Sequence, residues 1–348
     1  PILGCRAAHY FWLAVLACLI VGLLARANMR AEVYDGDSRM ADLVLCRNGP
    51  VWQVLLAGKA TGQFVLARAI RKVLTSPTWS QLTCLLHQTG HHERLRKFAM
   101  VAFVSLIVVL ALEYHEVTRA MIAGPFEACF SMFCIVSRAE LMGLFLIIWK
   151  ASVMSIWPLR DHLSNAPAGD VDWGVLHRMY QEDVRRIDDI WSNAGLADAT
   201  AWTLSMWILY ILWEGLVLTI TSSFSAARFL SFALQIMLFN LFLIATTKIS
   251  TARHSSVHTN NSVRFFASQR PLRPHTALEQ MSFMNTLDHL RCGAEVSHIG
   301  MITKEGVMPL VRGLAALIPV CWGIAMRLQA TSNFAESSCG ALPEDAPG

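Results

Sequence analysis

Val307–Gln329 reads VMPLVRGLAALIPVCWGIAMRLQ and is the last apolar run of the chain. Fourteen uncharged residues separate Arg312 from Arg327. As helix they cover about 21 Å, against a hydrocarbon core of about 30 Å. Both arginines can lay their methylene stems on apolar surface and lift their charged heads to the lipid headgroups, which lengthens the span. Gly313, Ala315, Ala316 and Gly323 are small enough to let neighbouring helices approach closely. Pro319 removes one backbone hydrogen bond and favours a kink. The stretch reads as a membrane-crossing helix, either lining a pore or packing as one more member of a bundle.

The rest of the chain is built in the same way. Of its 348 residues 54% are apolar and 16% are charged, against about 25% charged in soluble domains. The mean hydropathy is +0.43. The apolar residues are bunched in long runs, where a β-barrel would alternate apolar and polar. The expected fold is therefore an all-α polytopic transmembrane helical bundle. The sequence opens on Pro1, not Met, and that end is read as incomplete or processed. Nine cysteines are scattered singly with no CxxC pair, so there is no zinc or redox signature. No metal or cofactor is expected.

Spans are expected at about 9–25, 51–70, 98–114, 128–150, 200–220, 229–247 and 307–327. The first could be mistaken for a signal peptide, but its long apolar core without a clear small-residue cleavage site reads as a retained helix. The second is interrupted by Lys59 and Gln63, and a charge at mid-helix costs roughly 2.5–3.5 kcal/mol on insertion scales. It is either a crossing held by its neighbours or an interfacial helix. Arg138, Glu140 and Lys150 lie in the fourth apolar region. Arg138 and Glu140 are two residues apart and cannot face each other on a helix, so each needs a partner elsewhere or a wet cavity. Glu214, inside the fifth span, is a functional candidate or a hydrogen-bonded structural carboxylate. His87, His91 and His92 approach a metal-ligand spacing but read better as a solvated helix face.

Two polar segments, 158–199 and 248–306, stand apart from the spans. In the first, Leu176, Met179, Tyr180, Val184, Ile187, Ile190 and Trp191 recur every three or four residues. This is an amphipathic helix of roughly five turns, whose apolar face needs a partner, with a helix projecting from the preceding span as the natural one. In the second, Gln269–His275 (QRPLRPH) reads as a loop between helical stretches.

Charge sets the expected orientation. Lys and Arg number six in residues 68–97, four in 158–200 and seven in 248–305, but one each in 116–128 and 222–228. The basic connections face the cytoplasm by the positive-inside rule. With residues 51–70 crossing, there are seven spans and a cytoplasmic N-terminus; without them there are six and an outer N-terminus. The sequon at Asn260 then lies inside and stays unglycosylated. Cys46, Cys129 and Cys339 lie outside, as a disulfide or as free thiols.

Residues 176–213 (LHRMYQEDVRRIDDIWSNAGLADATAWTLSMWILYILW), the polar segment 248–300 and the terminal span together resemble the arthropod gustatory receptor family, relatives of the odorant receptors. Asp188 or Asp189 stands where that family has an Ile-Asn pair. Its terminal pattern is Thr-Tyr, five apolar residues, Gln, then Phe or Leu. Here the matching stretch is Trp322–Gly323, IAMRL and Gln329, with Arg327 inside the five and a longer tail. The resemblance implies a ligand-gated, non-selective cation channel in the plasma membrane of sensory neurons. It implies a homo- or hetero-tetramer of related subunits whose last helices surround a pore. The segments 158–199 and 248–306 would form a cytoplasmic anchor. It places Gln329 near the outer pore, offers Leu314, Leu317 and Ile318 (with Val320) as a constriction, and puts a small-molecule pocket among Glu140, Trp207, Tyr210 and Glu214. The face chosen by the constriction stays open, because Pro319 interrupts the helical phase. Expected partners are a small-molecule tastant or odour and the lipid bilayer, with no nucleic acid.

Other classes fit less well. A G-protein-coupled receptor would carry Asp-Arg-Tyr after its third span and Asn-Pro-x-x-Tyr in its last; neither is present. A transporter would show two related halves with broken spans, and no such repeat is visible. HExxH, GxSxG and paired catalytic carboxylates are missing, so an enzyme is not expected.

Overall fold

The computed structural model describes residues 14, 17, 20, 21, 50–123, 125–166, 171–220, 226–258, 262–271, 273–290, 293–297, 300–302 and 304–330. The expected span at 9–25, Cys46, Cys339 and Asn260 lie outside the described residues or touch them only at isolated positions. Cys129 is an exposed free thiol.

In chain order the helices are α1 (Pro50–Leu74), α2 (Pro77–Gln88), α3 (His92–Ala123), α4 (Pro125–Met154), α5 (Trp157–Asn165) and α6 (Trp173–Asp188). A π turn, Asp189–Asn193, leads to α7 (Leu196–Ile220), α8 (Ala226–His258), α9 (Val263–Ser268), α10 (Ala277–His289) and α11 (Lys304–Ala330). Among the described residues four helical stretches are long and apolar enough to cross a membrane: Met132–Asn165, Leu196–Leu218, Phe229–Thr247 and Glu305–Ile324. The protein is thus a predominantly helical, membrane-embedded chain. The runs at 51–70 and 98–114 lie in α1 and α3.

Local chemistry sets several of the boundaries. Ser76 accepts a hydrogen bond from the Trp79 amide, and Pro77 opens α2 at a position that needs no donor. Asp172 accepts from Val175 N at the start of α6, and Ser262 from Phe265 N at the start of α9. Gly195 takes φ +74° between the π turn and α7, a conformation that side chains with a Cβ resist.

Two large apolar clusters result among the described residues. The larger joins α1, α2, α3, α4, α7, α8 and α11, with Phe145, Ile148, Trp191, Ile211, Ile236 and Phe239 fully buried. The smaller is built from Leu159 and Leu163 of α5, Leu176 and Tyr180 of α6, Val257 at the end of α8, Val263 of α9, and Phe283 and Leu287 of α10. The first half of the apolar stripe, Leu176, Tyr180 and Val184, therefore packs against the polar segment 248–306, while Ile187, Ile190 and Trp191 join the larger cluster. At 30 and 33 residues, α4 and α8 run about 45–50 Å, well past a 30 Å core. The far end of α8 reaches the second cluster at Val257, and Ile156, just past the end of α4, lies in it as well. The partner expected from the preceding span is found one turn on: Trp191 Nε1 donates to Ser152 Oγ of α4 at 3.0 Å, and its ring meets Phe145 edge-on.

Three details differ from the sequence reading. The amphipathic helix ends in a π turn, which seats both Ile190 and Trp191 in the core. Asp189 holds this turn together, accepting from Asn193 Nδ2 at 2.7 Å and from Thr78 Oγ1 at 3.3 Å. The segment 248–306 is not all helix, since β1 (Glu295–Val296) and β2 (Gly300–Met301) pair antiparallel. Asp198 fastens this hairpin to α7 by accepting from Ser297 N at 2.9 Å and Ser297 Oγ at 2.6 Å. Finally, His91 is not on a solvated face. It is buried, 3.1 Å from Asp161 Oδ2, with its ring edge-on to Trp157.

Candidate functional site

The crossing of α1, α4, α7 and α8 brings together most of the polar side chains of the bundle interior. Along α7, Thr203, Trp207, Tyr210 and Glu214 fall at three- and four-residue steps and so share a face. Gln235 of α8 is the hub. Its Oε1 accepts from Arg138 Nη1 of α4 at 3.0 Å and from Trp207 Nε1 at 3.1 Å. The Arg138 guanidinium also lies 5.8 Å from the Trp207 ring centroid. Arg138 is only 7% exposed, so this pairing offsets the desolvation that a buried charge incurs.

The polar residues of α1 face the same place. Lys59 Nζ sits 4.1 Å from the Tyr210 ring centroid, a cation–π distance. Gln63 donates a long hydrogen bond (3.4 Å) to the Cys134 carbonyl. Its buried Oε1 has no hydrogen-bond partner among the described residues. The Gly62 carbonyl accepts from Thr203 Oγ1 at 2.9 Å. A Cβ on Gly62 would come within 3.2 Å of the Thr203 Cα, so glycine is what lets α1 and α7 touch. The interruption of this run by Lys59 and Gln63 thus places polar groups inside the bundle, not against lipid.

These side chains enclose a chamber lined by Lys59, Gln63, Arg138, Thr203, Trp207 and Phe242. Its free space is about 20 Å³, room for a single water. Next to it, Tyr210, Glu214, Ser231, Phe232 and Gln235 line a second, polar recess. Gln235 joins the two through its bonds to Arg138 and Trp207.

No protein-family model matches the chain, and no curated protein matches it.

Of the expected ligand contacts, Trp207 lines the chamber, and Tyr210 and Glu214 line the adjoining recess. Glu140 is half-buried and lines neither. Two residues on from Arg138, it lies about 200° round the helix. Lys59, Gln63, Arg138 and Gln235 were not among the expected site residues. Lys59, Gln63 and Arg138 were visible as polar side chains in an apolar run, which is the signal that an intramembrane site leaves; Gln235 was not singled out.

The terminal helix runs unbroken through Pro309 and Pro319. Its covered stripe is Val307, Val311, Leu314, Leu317, Ile318 and Cys321. Leu314 is 4% exposed and Leu317 and Ile318 are half-buried. Within the single chain these three face its own core, and the outward face carries Leu310, Ala316, Val320 and Ile324. Of the constriction residues considered, Val320 has the open aspect. Gln329 lies in α11, with its side chain outside the described residues.

Proposed function

We propose that this chain is a gustatory-type chemoreceptor, one subunit of a ligand-gated, non-selective cation channel responding to a small-molecule tastant or odour. It is not read as an enzyme. The observation that carries the proposal is the polar crossing held by Gln235, with the chamber and the recess on either side of it. A buried guanidinium, an indole, an ammonium over a phenol ring and an unsatisfied amide oxygen converge where a bilayer offers no water. Polar groups held at such cost inside a membrane bundle mark a working site. Their mixture of cation, aromatic ring and amide suits a small ligand with an apolar body and a few polar atoms. Because the space has room for only about one water, ligand entry requires α1 and α7 to part, and that motion is a natural trigger for gating.

In this proposal seven helices cross the plasma membrane of a sensory neuron, with the N-terminus and the basic connectors inside. The cluster of α5, α6, α9 and α10 is the cytoplasmic anchor. Four subunits, alike or related, gather their α11 helices round the pore. Since Leu314 is taken up by its own subunit, Val320 and the outward face are better constriction candidates.

The test has two parts. Epitope tags on the two termini of intact cells are expected to read inside for the N-terminus and outside for the C-terminus; the reverse overturns the topology. Ligand-evoked current in a heterologous cell, lost on Trp207→Ala at unchanged surface expression, supports the channel. Ligand uptake without current would favour a transporter, a second reading encouraged by Arg138 and Lys59 inside the bundle.

A further inference from the structure

A second feature lies on the outside of the bundle. Phe98–Leu106 of α3, Met142–Trp149 of α4 and Leu238–Ala245 of α8 enclose an apolar groove of about 280 Å³. α3 packs along α4 but meets α8 only sparsely, so the groove is the gap that α3 and α8 leave over α4. At one end the Phe98 ring lies 5.8 Å from that of Trp149. At the other, Leu106 Cδ1 comes within 3.0 Å of where a Cβ on Gly143 would stand, so α3 and α4 close together there. Each lining stretch covers about 10–12 Å of helix axis. Val101 and Leu241, on the lips, are 65% and 54% exposed. α4 and α8 carry two of the apolar stretches long enough to cross a membrane, Met132–Asn165 and Phe229–Thr247, so the mouth opens onto hydrocarbon.

The walls offer an occupant no polar partner. Among the described residues that line the groove there is no charged or amide side chain. Its one hydroxyl, Ser105 Oγ, donates to the Val101 carbonyl of its own helix at 2.9 Å. The Trp149 Nε1 is buried, so the groove meets the carbons of that ring. Water does not settle in an apolar space of this kind, and an empty one forfeits the dispersion contacts of its walls. A fatty acid or an amine would bring in a polar head that nothing there can pair. A neighbouring helix is too wide. With its side chains it measures 10–12 Å across, and 280 Å³ spread along the lining stretches is a narrower slot than that. What remains is a slender, wholly apolar chain lying along the helix axes.

We propose that this groove holds one acyl chain of a bilayer phospholipid, packed between α3 and α8 over α4. The acyl chain lies in the direction that bilayer chains already take, and its headgroup stays outside the groove. The site therefore selects a hydrocarbon tail and is indifferent to the headgroup that carries it. Between membrane helices association rests on van der Waals packing, and the bound tail supplies the contacts that α3, leaning chiefly on α4, does not make with α8. The inference rests on the protein being embedded in a bilayer and is independent of the receptor proposal.

The experiment uses the full-length protein in nanodiscs with a phosphatidylcholine bearing a diazirine midway along one acyl chain. The comparison surface is the outer face of α7, where Leu209, Leu212 and Leu216 are 44–49% exposed. Photolysis is expected to label peptides containing residues 98–106 and 238–245 about fivefold more than the α7 peptide. Phosphatidylglycerol with the same labelled tail should give the same ratio. Ser105→Phe, at an exposed groove position, should fill the slot and bring the groove peptides down to the α7 level. Equal labelling of groove and α7 in the wild-type protein overturns the proposal. So does a ratio that follows headgroup charge, or a sterol diazirine that labels the groove as selectively as the phospholipid. The wild-type comparisons alone decide the matter should Ser105→Phe fail to fold.

Discussion

A single amide decides how the interior charge is held. Gln235 Oε1 accepts from Arg138 and from Trp207 at once, so replacing it by leucine removes an acceptor from two buried donors. Gln235→Leu is expected to destabilise the bundle by about 3 kcal/mol, read as a lowered Tm in detergent. Gln235→Glu keeps an acceptor and adds charge complementary to the guanidinium, so it should retain most of the stability. Equal losses in the two variants would show that the acceptor is not what matters. Trp207→Phe separates packing from polarity. The ring keeps its edge-on contact with Phe239 but loses its donor, at an expected cost of about 1 kcal/mol. The sequence announced Arg138 as a charge in need of a partner. It did not announce Gln235, because an amide among Leu, Ile and Phe carries no charge to flag it and its match lies 97 residues away.

Contacts between whole helices depend on a few close approaches. A Cβ at Gly62 would meet the Thr203 backbone at 3.2 Å, and backbone does not yield as a side chain does. Gly62→Val should therefore push α1 from α7 and cost about 1–3 kcal/mol, and Thr203 Oγ1 would lose its bond to the Gly62 carbonyl. Denaturation of the variant beside wild type checks this. Legibility at this scale was uneven. The stripe from Leu176 to Trp191 could be read because a 3.6-residue period survives any choice of partner. The π turn could not, since one extra residue in a hydrogen-bonded loop leaves no mark in composition. Strands of two residues, as in β1 and β2, are too short to show alternation. The face of α11 was hidden by Pro319, yet the helix passes through it and keeps a regular covered stripe.

The described residues form two large apolar centres, and they should fail separately. Phe283 is fully buried in the smaller one, against Trp173 and Tyr180. Phe283→Ala is expected to cost about 3–5 kcal/mol and to open residues 264–290 to limited proteolysis while α4, α7 and α8 remain protected in the micelle. Simultaneous loss of both would show one cooperative unit. The topology proposed for the chain makes a further prediction, that Asn260 carries no glycan when the protein is expressed in a secretory system. A mobility shift on glycosidase treatment, abolished by Asn260→Gln, would reverse the orientation.

The last helix owes little to its own chain. Only 17% of its most apolar stretch is covered, against 44–50% in the other three crossings. Evolution can consequently redraw most of the girth of α11 without disturbing how one copy folds. Swapping Leu310, Ala316 or Val320 for other aliphatic residues should leave the melting of an isolated copy where it was. Whatever such swaps alter will be felt by neighbours, lipid or protein, and mutational tolerance mapped round this cylinder would draw the outline of its company.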